Sequence, residues 1–207
     1  MKVLNWKKLS TWEQKNLIER LRRASSSRKL RKETARILKA VRSGSENTLI
    51  QLTEQFDGIV LNQICVDTKY TGKNSPLSQF QIEAIDTAYA NIFTFHKRQK
   101  ENLEFQLETT PGVLCERVTR PIPRVGLYIP GGSAPLVSSV LMMGIPARVA
   151  GCEEVILCTP PNSDGALDPA IAYAANLCGI SRVFIVGGAQ AIGAMAYGIA
   201  QIGRAHV

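Results

Sequence analysis

The sequence is poor in the residues that hold metal ions and redox centres. Its 207 residues include only two histidines, His96 and His206, and no H-E-x-x-H pattern occurs. A zinc site needs about four convergent ligands, so the sequence predicts no metal site in this chain. The five cysteines are odd in number and form no C-x-x-C pair. This pattern predicts small buried hydrophobic residues, not disulfides or metal ligands.

Long apolar runs are also missing. No run approaches the roughly 18 residues that a membrane span needs. The first residues, MKVLNWKK, lack the apolar core and the cleavage site of a secretory signal. Hydrophobic residues make up 45% of the chain and charged residues 20%, which is typical of a folded globular protein and argues against disorder. We therefore expect a cytoplasmic protein with no membrane partner.

Positive charge is concentrated at the N-terminus. Residues 1–50 contain 14 Lys and Arg against 4 Asp and Glu, so this segment accounts for the net charge of +8. A cluster of cations of this kind indicates either a nucleic-acid patch or the solvated face of surface helices. No aromatic residue lies between Trp12 and Phe56, so the segment offers no platform on which bases can stack. We favour the solvated face and expect no nucleic-acid partner. The cluster comprises Arg20, Arg22, Arg23, Arg28, Lys29, Arg31, Lys32, Arg36, Lys39 and Arg42.

Apolar spacing divides the chain into two regions. Residues 10–102 have helical periodicity, with helices expected from Ser10 or Thr11 and over 27–43, 45–58 and 77–100. Two β-prone segments, 103–108 and 113–119, flank Thr110-Pro111-Gly112 and predict a hairpin. From residue 125 onward, short β-prone runs at 125–129, 155–158 and 182–186 alternate with helical stretches. This β-α-β-α-β-α order predicts an α/β fold with a parallel sheet and right-handed crossovers.

The ends of the predicted strands carry the candidate binding residues. In open α/β sheets, ligands bind beyond the carboxyl ends of the strands. Glycine at such an end lets peptide N–H groups approach a phosphate, and the next helix presents its positive N-terminus. Two of the three strands end in glycine pairs, Gly131-Gly132 and Gly187-Gly188.

Two side chains flank these glycines. Tyr128 ends the first strand and Gln190 lies in the first turn after the third, so we expect both to reach one crevice. Tyr128 can pack against an adenine or nicotinamide ring and bond a ribose, while Gln190 offers a donor and an acceptor. The first loop is not G-x-G-x-x-G, and Ala194 stands where a P-loop needs lysine. A dinucleotide site and a set of tight turns with a packed Tyr128 both remain open on these residues alone.

Three stretches resemble the histidinol dehydrogenase family. They are RVGLYIPGGSAPL (124–136), PARVAGCEEVILCTPP (146–161) and VFIVGGAQAIGAMAYG (183–198), in the family's order and spacing. The resemblance continues upstream through ETTPGVLCERVTRPI (108–122) and NIFTFHKRQ (91–99) and covers nearly the whole chain.

The resemblance implies a cofactor, a substrate and an architecture. The family oxidises L-histidinol through histidinaldehyde to L-histidine, reduces two NAD, uses zinc and works as a homodimer. It therefore implies a helical N-terminal region followed by an incomplete Rossmann-like parallel domain, with Tyr128 and Gln190 at positions that contact NAD. The family's zinc ligands, its Glu-His acid–base pair and its G-P-G-N asparagine have no counterpart here. We accordingly expect no catalytic residue in this chain and little or no turnover by it alone.

The resemblance also suggests boundaries. We expect a mostly helical region with a hairpin over 1–124, a Rossmann-like NAD-binding domain over 125–201 and a non-native tail over 202–207. The tail IGRAHV is the translation of a common sequencing-adapter sequence. An α/β domain that ends after its third helix exposes an apolar sheet edge, so we expect poor solubility. The alternative function is a standalone nucleotide-binding module without catalysis.

Overall fold

Serine residues begin the helices of the N-terminal region. The computed structural model describes residues 4–25, 28–67, 76–100, 104–131, 134–180 and 182–206, with residues 20–25 described by their backbone alone. The Ser10 N–H donates to the Glu13 carboxylate at 2.8 Å, and the Glu13 N–H donates to Ser10 Oγ at 3.3 Å. Ser78 and Gln81 form the same reciprocal pair. These bonds satisfy N–H groups that the first turn of a helix leaves free. The four expected helices are confirmed as α1 (Thr11–Ser25), α2 (Arg28–Arg42), α3 (Glu46–Asp57) and α4 (Gln79–Lys100).

The central sheet has four strands in the order β1-β6-β5-β4. Its strands are β1 (Cys65–Asp67), β4 (Arg124–Tyr128), β5 (Glu154–Cys158) and β6 (Arg182–Phe184). Strands β4, β5 and β6 are parallel, which confirms the predicted α/β fold. The third strand is two residues shorter than expected. The antiparallel edge strand β1, paired with β6 through Cys65 and Phe184, was not predicted from the sequence.

Helices cover the sheet on both faces. The connecting helices are α5 (Val137–Ala150), α6 (Pro169–Leu177) and α7 (Gly188–Tyr197). Right-handed crossovers place α5 and α6 on one face, because they carry the chain from β4 to β5 and on to β6. After α7 the chain runs back across the sheet to the far side of β4. Because this crossover runs in the opposite direction, α7 lies on the other face. Helix α4 packs on α5, and α2 packs on α7. The core lies between these layers, with Ile156, Leu157, Val183 and Phe184 fully buried.

Two elements bury little of their surface. The hairpin strands β2 (Phe105–Thr110) and β3 (Val113–Arg117) are exposed along their whole length. One face of the hairpin nevertheless carries Phe105 and Leu107, both more than half exposed. Within the described side chains of α1 no residue is buried, and Trp12 is 73% exposed. None of the described helices is long and apolar enough to span a membrane.

Three charged residues, Arg124, Glu154 and Arg182, form a cluster that links the turn at Gln201 and Ile202 to the sheet. Glu154 pairs with Arg124 (Nε–Oε2 3.0 Å) and with Arg182 (Nη1–Oε1 2.8 Å). The two guanidinium groups also donate to backbone carbonyls, Arg124 to that of Ile202 at 2.6 Å and Arg182 to that of Gln201. Ile202 is fully buried. The assignment of residues 202–207 to a non-native tail stays a prediction, as do the boundaries at 124 and 201.

Candidate functional site

Pro160 lies at the centre of the loops that follow the three parallel strands. A Cβ atom added to Gly131 would lie 2.5 Å from Pro160 Cγ, and one added to Gly187 would lie 2.7 Å from Pro160 Cβ. Both distances are too short for a side chain, so these glycines are needed for packing whether or not a ligand binds. The sequence analysis interpreted them only as residues that let peptide N–H groups approach a phosphate. The predicted site residue Gly132 lies outside the described residues.

Tyr128 connects the end of β4 to the start of α7. Its hydroxyl oxygen accepts a hydrogen bond from the Gly188 backbone N–H at 2.9 Å. Gly188 has φ of +62°, a left-handed conformation that glycine adopts without strain. The structure thus brings together two residues that are 60 positions apart in the sequence, at the sheet edge where the sequence analysis placed them. The hydroxyl occupies one of the N–H groups that a helix N-terminus leaves for an anion.

Gln190 lies beside this contact in the first turn of α7. Its side chain is 2% exposed, and its Oε1 is 2.6 Å from where a Cβ on Gly188 would be. No hydrogen bond joins its amide group to another described residue, but neither amide atom is fully buried without a partner; among the described residues that condition is met by Arg124 Nε. The amide therefore keeps access to solvent and can offer both a donor and an acceptor to a polar group that approaches from outside the chain.

A cleft of about 330 Å³ lies next to this cluster. It is lined by residues 130–131, 134–136 and 159–163 together with Asp168 and Ile171. Asp168 caps α6 by accepting from the Ala170 N–H at 2.8 Å. The volume is at the lower end of the range for small-molecule sites. Of the predicted site residues that the structure describes, Gly131 alone lines the cleft. The sequence analysis missed Thr159, Asn162 and Asp168, although their position after β5 was a usable signal.

Neither of the two buried cysteines is an available nucleophile. Burial raises the pKa of the Cys158 thiol, at the end of β5, to about 12. Burial raises the pKa of Cys178 to about 11 against the opposing charge of Arg148. Both cysteines therefore stay protonated and act as small hydrophobic residues, as predicted. Cys115 differs from the prediction because it lies on the exposed hairpin.

The two histidines lie away from the Tyr128 cluster. His96 is half-buried on α4, where its Nδ1 lies 2.7 Å from Gln99 Oε1. His206 pairs with Val125 near the start of β4. Across the described ranges, no three His, Cys, Asp or Glu residues come together as a metal site would require.

The chain matches the family model described as histidinol dehydrogenase over residues 20–207. Histidinol dehydrogenase of Xylella fastidiosa is 44% identical over 203 residues, which cover 98% of this chain and 47% of that protein. Histidinol dehydrogenase of Photobacterium profundum is 44% identical over 205 residues, which cover 99% of this chain and 45% of that protein. The chain therefore spans about half the length of the curated relatives it matches.

A solved structure has the same fold. The crystal structure of histidinol dehydrogenase from Elizabethkingia anophelis superposes with a TM-score of 0.81 at 44% sequence identity. The matched region covers 87% of this chain and 42% of that one. The similarity therefore extends to the helical region and the parallel sheet together.

Proposed function

Because this chain belongs to the histidinol dehydrogenase family, we propose that it forms the part of such an oxidoreductase that holds NAD. The proposed site is the carboxyl edge of the parallel sheet, where β4, β5 and β6 end. The observation that carries the proposal is the contact of Tyr128 with Gly188 beside the nearly buried side chain of Gln190. The residues assigned to the site are Tyr128, Gly131, Gly132, Gly187, Gly188 and Gln190.

The residues at this edge suit a dinucleotide. The N-terminus of α7 supplies peptide N–H groups and a partial positive charge, which favour a pyrophosphate. The Gln190 amide can donate to and accept from a ribose or an amide, and the Tyr128 ring offers a flat apolar surface beside its hydroxyl. When bound, NAD would accept a hydride from the substrate. The described residues would bind and orient it.

Catalysis needs groups that the described part of this chain does not bring to the edge. We propose that L-histidinol is the substrate of the complete enzyme and that it passes through the aldehyde to L-histidine with two NAD. Those steps require a base that removes protons and activates water. His96 and His206 lie away from the proposed site, and the donor set for zinc does not fit the described residues. We therefore propose that this chain alone binds NAD without turnover, and that the complete enzyme is a cytoplasmic homodimer.

Calorimetric titration of the 207-residue chain with NAD tests the site. Tyr128→Phe removes the hydroxyl and Gln190→Leu removes the amide while keeping similar bulk. Each should weaken NAD binding about 10-fold, the effect of losing about 1.4 kcal/mol of hydrogen bonding. Tyr197→Phe and Gln51→Leu are the matched controls, because both side chains are exposed on other parts of the helices.

The outcomes separate the alternatives. Equal weakening by the controls, or unchanged affinity in both site variants, would refute the assigned site. Histidinol-dependent NADH formation by the pure chain would refute the proposal that it lacks turnover. If the 207-residue chain bound NAD and performed its role without a further polypeptide, the alternative of a standalone nucleotide-binding module would be favoured.

A further inference from the structure

Gly126 is a buried glycine in the middle of strand β4, two residues before Tyr128. Glycine weakens a strand, because it has no side chain to pack and loses more conformational freedom on folding than other residues. The φ angle of Gly126 is not in the left-handed region, so other residues could adopt its backbone conformation. A glycine at this position is therefore explained by the space that a side chain would need.

That space is taken by Met195 of α7. A Cβ atom added to Gly126 would lie 2.5 Å from Met195 Sδ, while Met195 Cγ and Ala205 Cβ would both lie at 3.4 Å. Met195 is fully buried, so its side chain has little room to turn away. Because side chains alternate between the two faces of a strand, Gly126 and Tyr128 face the same helix.

Helix α7 thus meets β4 at two points. One is the contact of Met195 with Gly126. The other, at the carboxyl edge of the sheet, is the hydrogen bond of 2.9 Å from the Gly188 N–H to the Tyr128 hydroxyl. The distance between α7 and β4 at the first point therefore affects the hydrogen bond at the second.

The opposite side of α7 lies equally close to its neighbour, α2. Each residue of an α-helix turns by about 100°, so Gly193 faces away from Met195. A Cβ atom added to Gly193 would lie 2.9 Å from Leu38 Cδ2 and 3.4 Å from Val41 Cγ1. Helix α7 is therefore held between β4 and α2, and it has little freedom to move when either contact is enlarged.

We propose that Gly126 is a positioning residue for the site at the carboxyl edge of the sheet. By carrying no side chain, it sets the height of α7 above β4 and so keeps the Gly188 N–H on the Tyr128 hydroxyl. Non-bonded atoms pack at about 3.5–4.0 Å, so the Cβ of Gly126→Ala would displace Met195 by about 1 Å. The same displacement of α7 would lengthen the bond to Tyr128 beyond hydrogen-bonding distance. The consequence for NAD rests on the proposed function, whereas the position of α7 does not.

The solvent-exchange rate of the Gly188 amide, measured by NMR in the 207-residue chain, tests this position without a ligand. Tyr128→Phe removes the acceptor and gives a reference rate, which should be about 10-fold faster than in the unsubstituted chain. Gly126→Ala should approach that reference rate. Gly126→Ala/Met195→Ala should return to the slow rate, because Met195→Ala removes the two Met195 atoms that the new Cβ meets.

Gly144→Ala is the matched control for a general loss of stability. Gly144 is a buried glycine of α5, on the other face of the sheet, and its Cβ would meet Cys178 Cβ at 2.8 Å. This variant should leave the Gly188 rate unchanged. If Gly126→Ala alone does not fold, Gly126→Ala/Met195→Leu keeps a smaller overlap and takes its place, with the same direction of change.

Titration with NAD relates the position of α7 to binding. Gly126→Ala should weaken NAD binding about 10-fold, the effect expected for the loss of one hydrogen bond. In a chain that already carries Tyr128→Phe, the same substitution should weaken binding little further, because both changes remove the same hydrogen bond.

The outcomes distinguish the positioning role from the proposed function. An unchanged Gly188 rate in the folded Gly126→Ala chain, equal acceleration by Gly144→Ala, or no rescue by Met195→Ala would overturn the positioning role. Faster Gly188 exchange with unchanged NAD affinity would also overturn it, because α7 would then have moved without an effect on the site. If the unsubstituted chain does not bind NAD, the proposed function is refuted, while the Gly188 rates still decide whether Gly126 sets the position of α7.

Discussion

Replacing the strand-end glycines by alanine tests the packing around Pro160 at the level of single atoms. The Cβ of Gly131→Ala would meet Pro160 Cγ at 2.5 Å, with Pro160 Cβ at an ordinary 3.6 Å. The Cβ of Gly187→Ala would meet Pro160 Cβ at 2.7 Å and its Cα at 3.3 Å. Pro160→Ala removes Cγ but keeps Cβ and Cα. It should therefore relieve the first clash and leave the second.

The expected magnitudes follow from overpacking. Inserting a methyl group into a packed site costs about 1–3 kcal/mol, and Gly→Ala recovers about 0.4–1 kcal/mol by restricting the unfolded chain. Gly187 is buried and Gly131 lies in an exposed loop that can shift. We expect the free energy of unfolding to fall by about 2 kcal/mol for Gly187→Ala and about 1 kcal/mol for Gly131→Ala.

Urea denaturation followed by circular dichroism measures these values and their coupling to Pro160→Ala. With a slope near 2 kcal/mol per molar urea, the midpoints should shift by about 1 M and about 0.5 M. The double variant Gly131→Ala/Pro160→Ala should be more stable than the sum of the single effects by about 1 kcal/mol, while Gly187→Ala/Pro160→Ala should be additive. Equal rescue of both glycine variants, or no cost for either, would show that Pro160 does not lie where the structure has it.

Two further predictions concern charge and pH. Glu154→Gln weakens the ion pairs with Arg124 and Arg182, and because these side chains are partly exposed we expect a loss of about 1 kcal/mol at low salt that shrinks in 1 M NaCl. The control Glu33→Gln disrupts an exposed pair with Arg36 and should cost under about 0.5 kcal/mol. If urea titrations gave the same loss of stability for both variants, the stabilising role of the cluster around Glu154 would be contradicted. Burial, and then the hydrogen bond to Asp86, raise the pKa of Tyr173 from 10.0 to about 12, which means that folding favours the neutral phenol. Stability from this group is therefore complete below pH 10 and lost as the pH rises toward 12. Tyr173→Phe should flatten that part of the profile, whereas Tyr197→Phe should not, and a slope that persists in Tyr173→Phe would refute the assignment.

Local patterns predicted most of the elements because local bonds form them. The Ser10–Glu13 and Ser78–Gln81 boxes are visible as spacings of three residues, and the helices begin there. Alternating β-prone runs and helical stretches similarly predicted the parallel strands. Strand β1 was not predicted, because its three residues, Cys65–Asp67, are too few to give a periodic signal and pair only with a segment distant in the sequence.

The same distinction applies to the site. The sequence predicted that Tyr128 and Gln190 share one sheet edge, since parallel strands end on the same side. It did not predict that the Tyr128 hydroxyl bonds the Gly188 N–H, because this contact depends on the loop geometry after two separate strands. The cleft that Asp168 lines likewise depends on how the loops after β4 and β5 approach each other.

The residues at the sheet edge differ in how strongly they indicate a bound ligand. Gly131 and Gly187 are required by Pro160, so their presence is explained by packing and does not by itself indicate a phosphate. Tyr128 satisfies the Gly188 N–H and so also has a role in the chain without a ligand. Gln190 is different, because no hydrogen bond between described residues accounts for its amide, which keeps access to solvent although the side chain is nearly buried. The glutamine, more than the glycine pairs that first drew attention to this edge, is therefore the residue on which the proposed binding site depends.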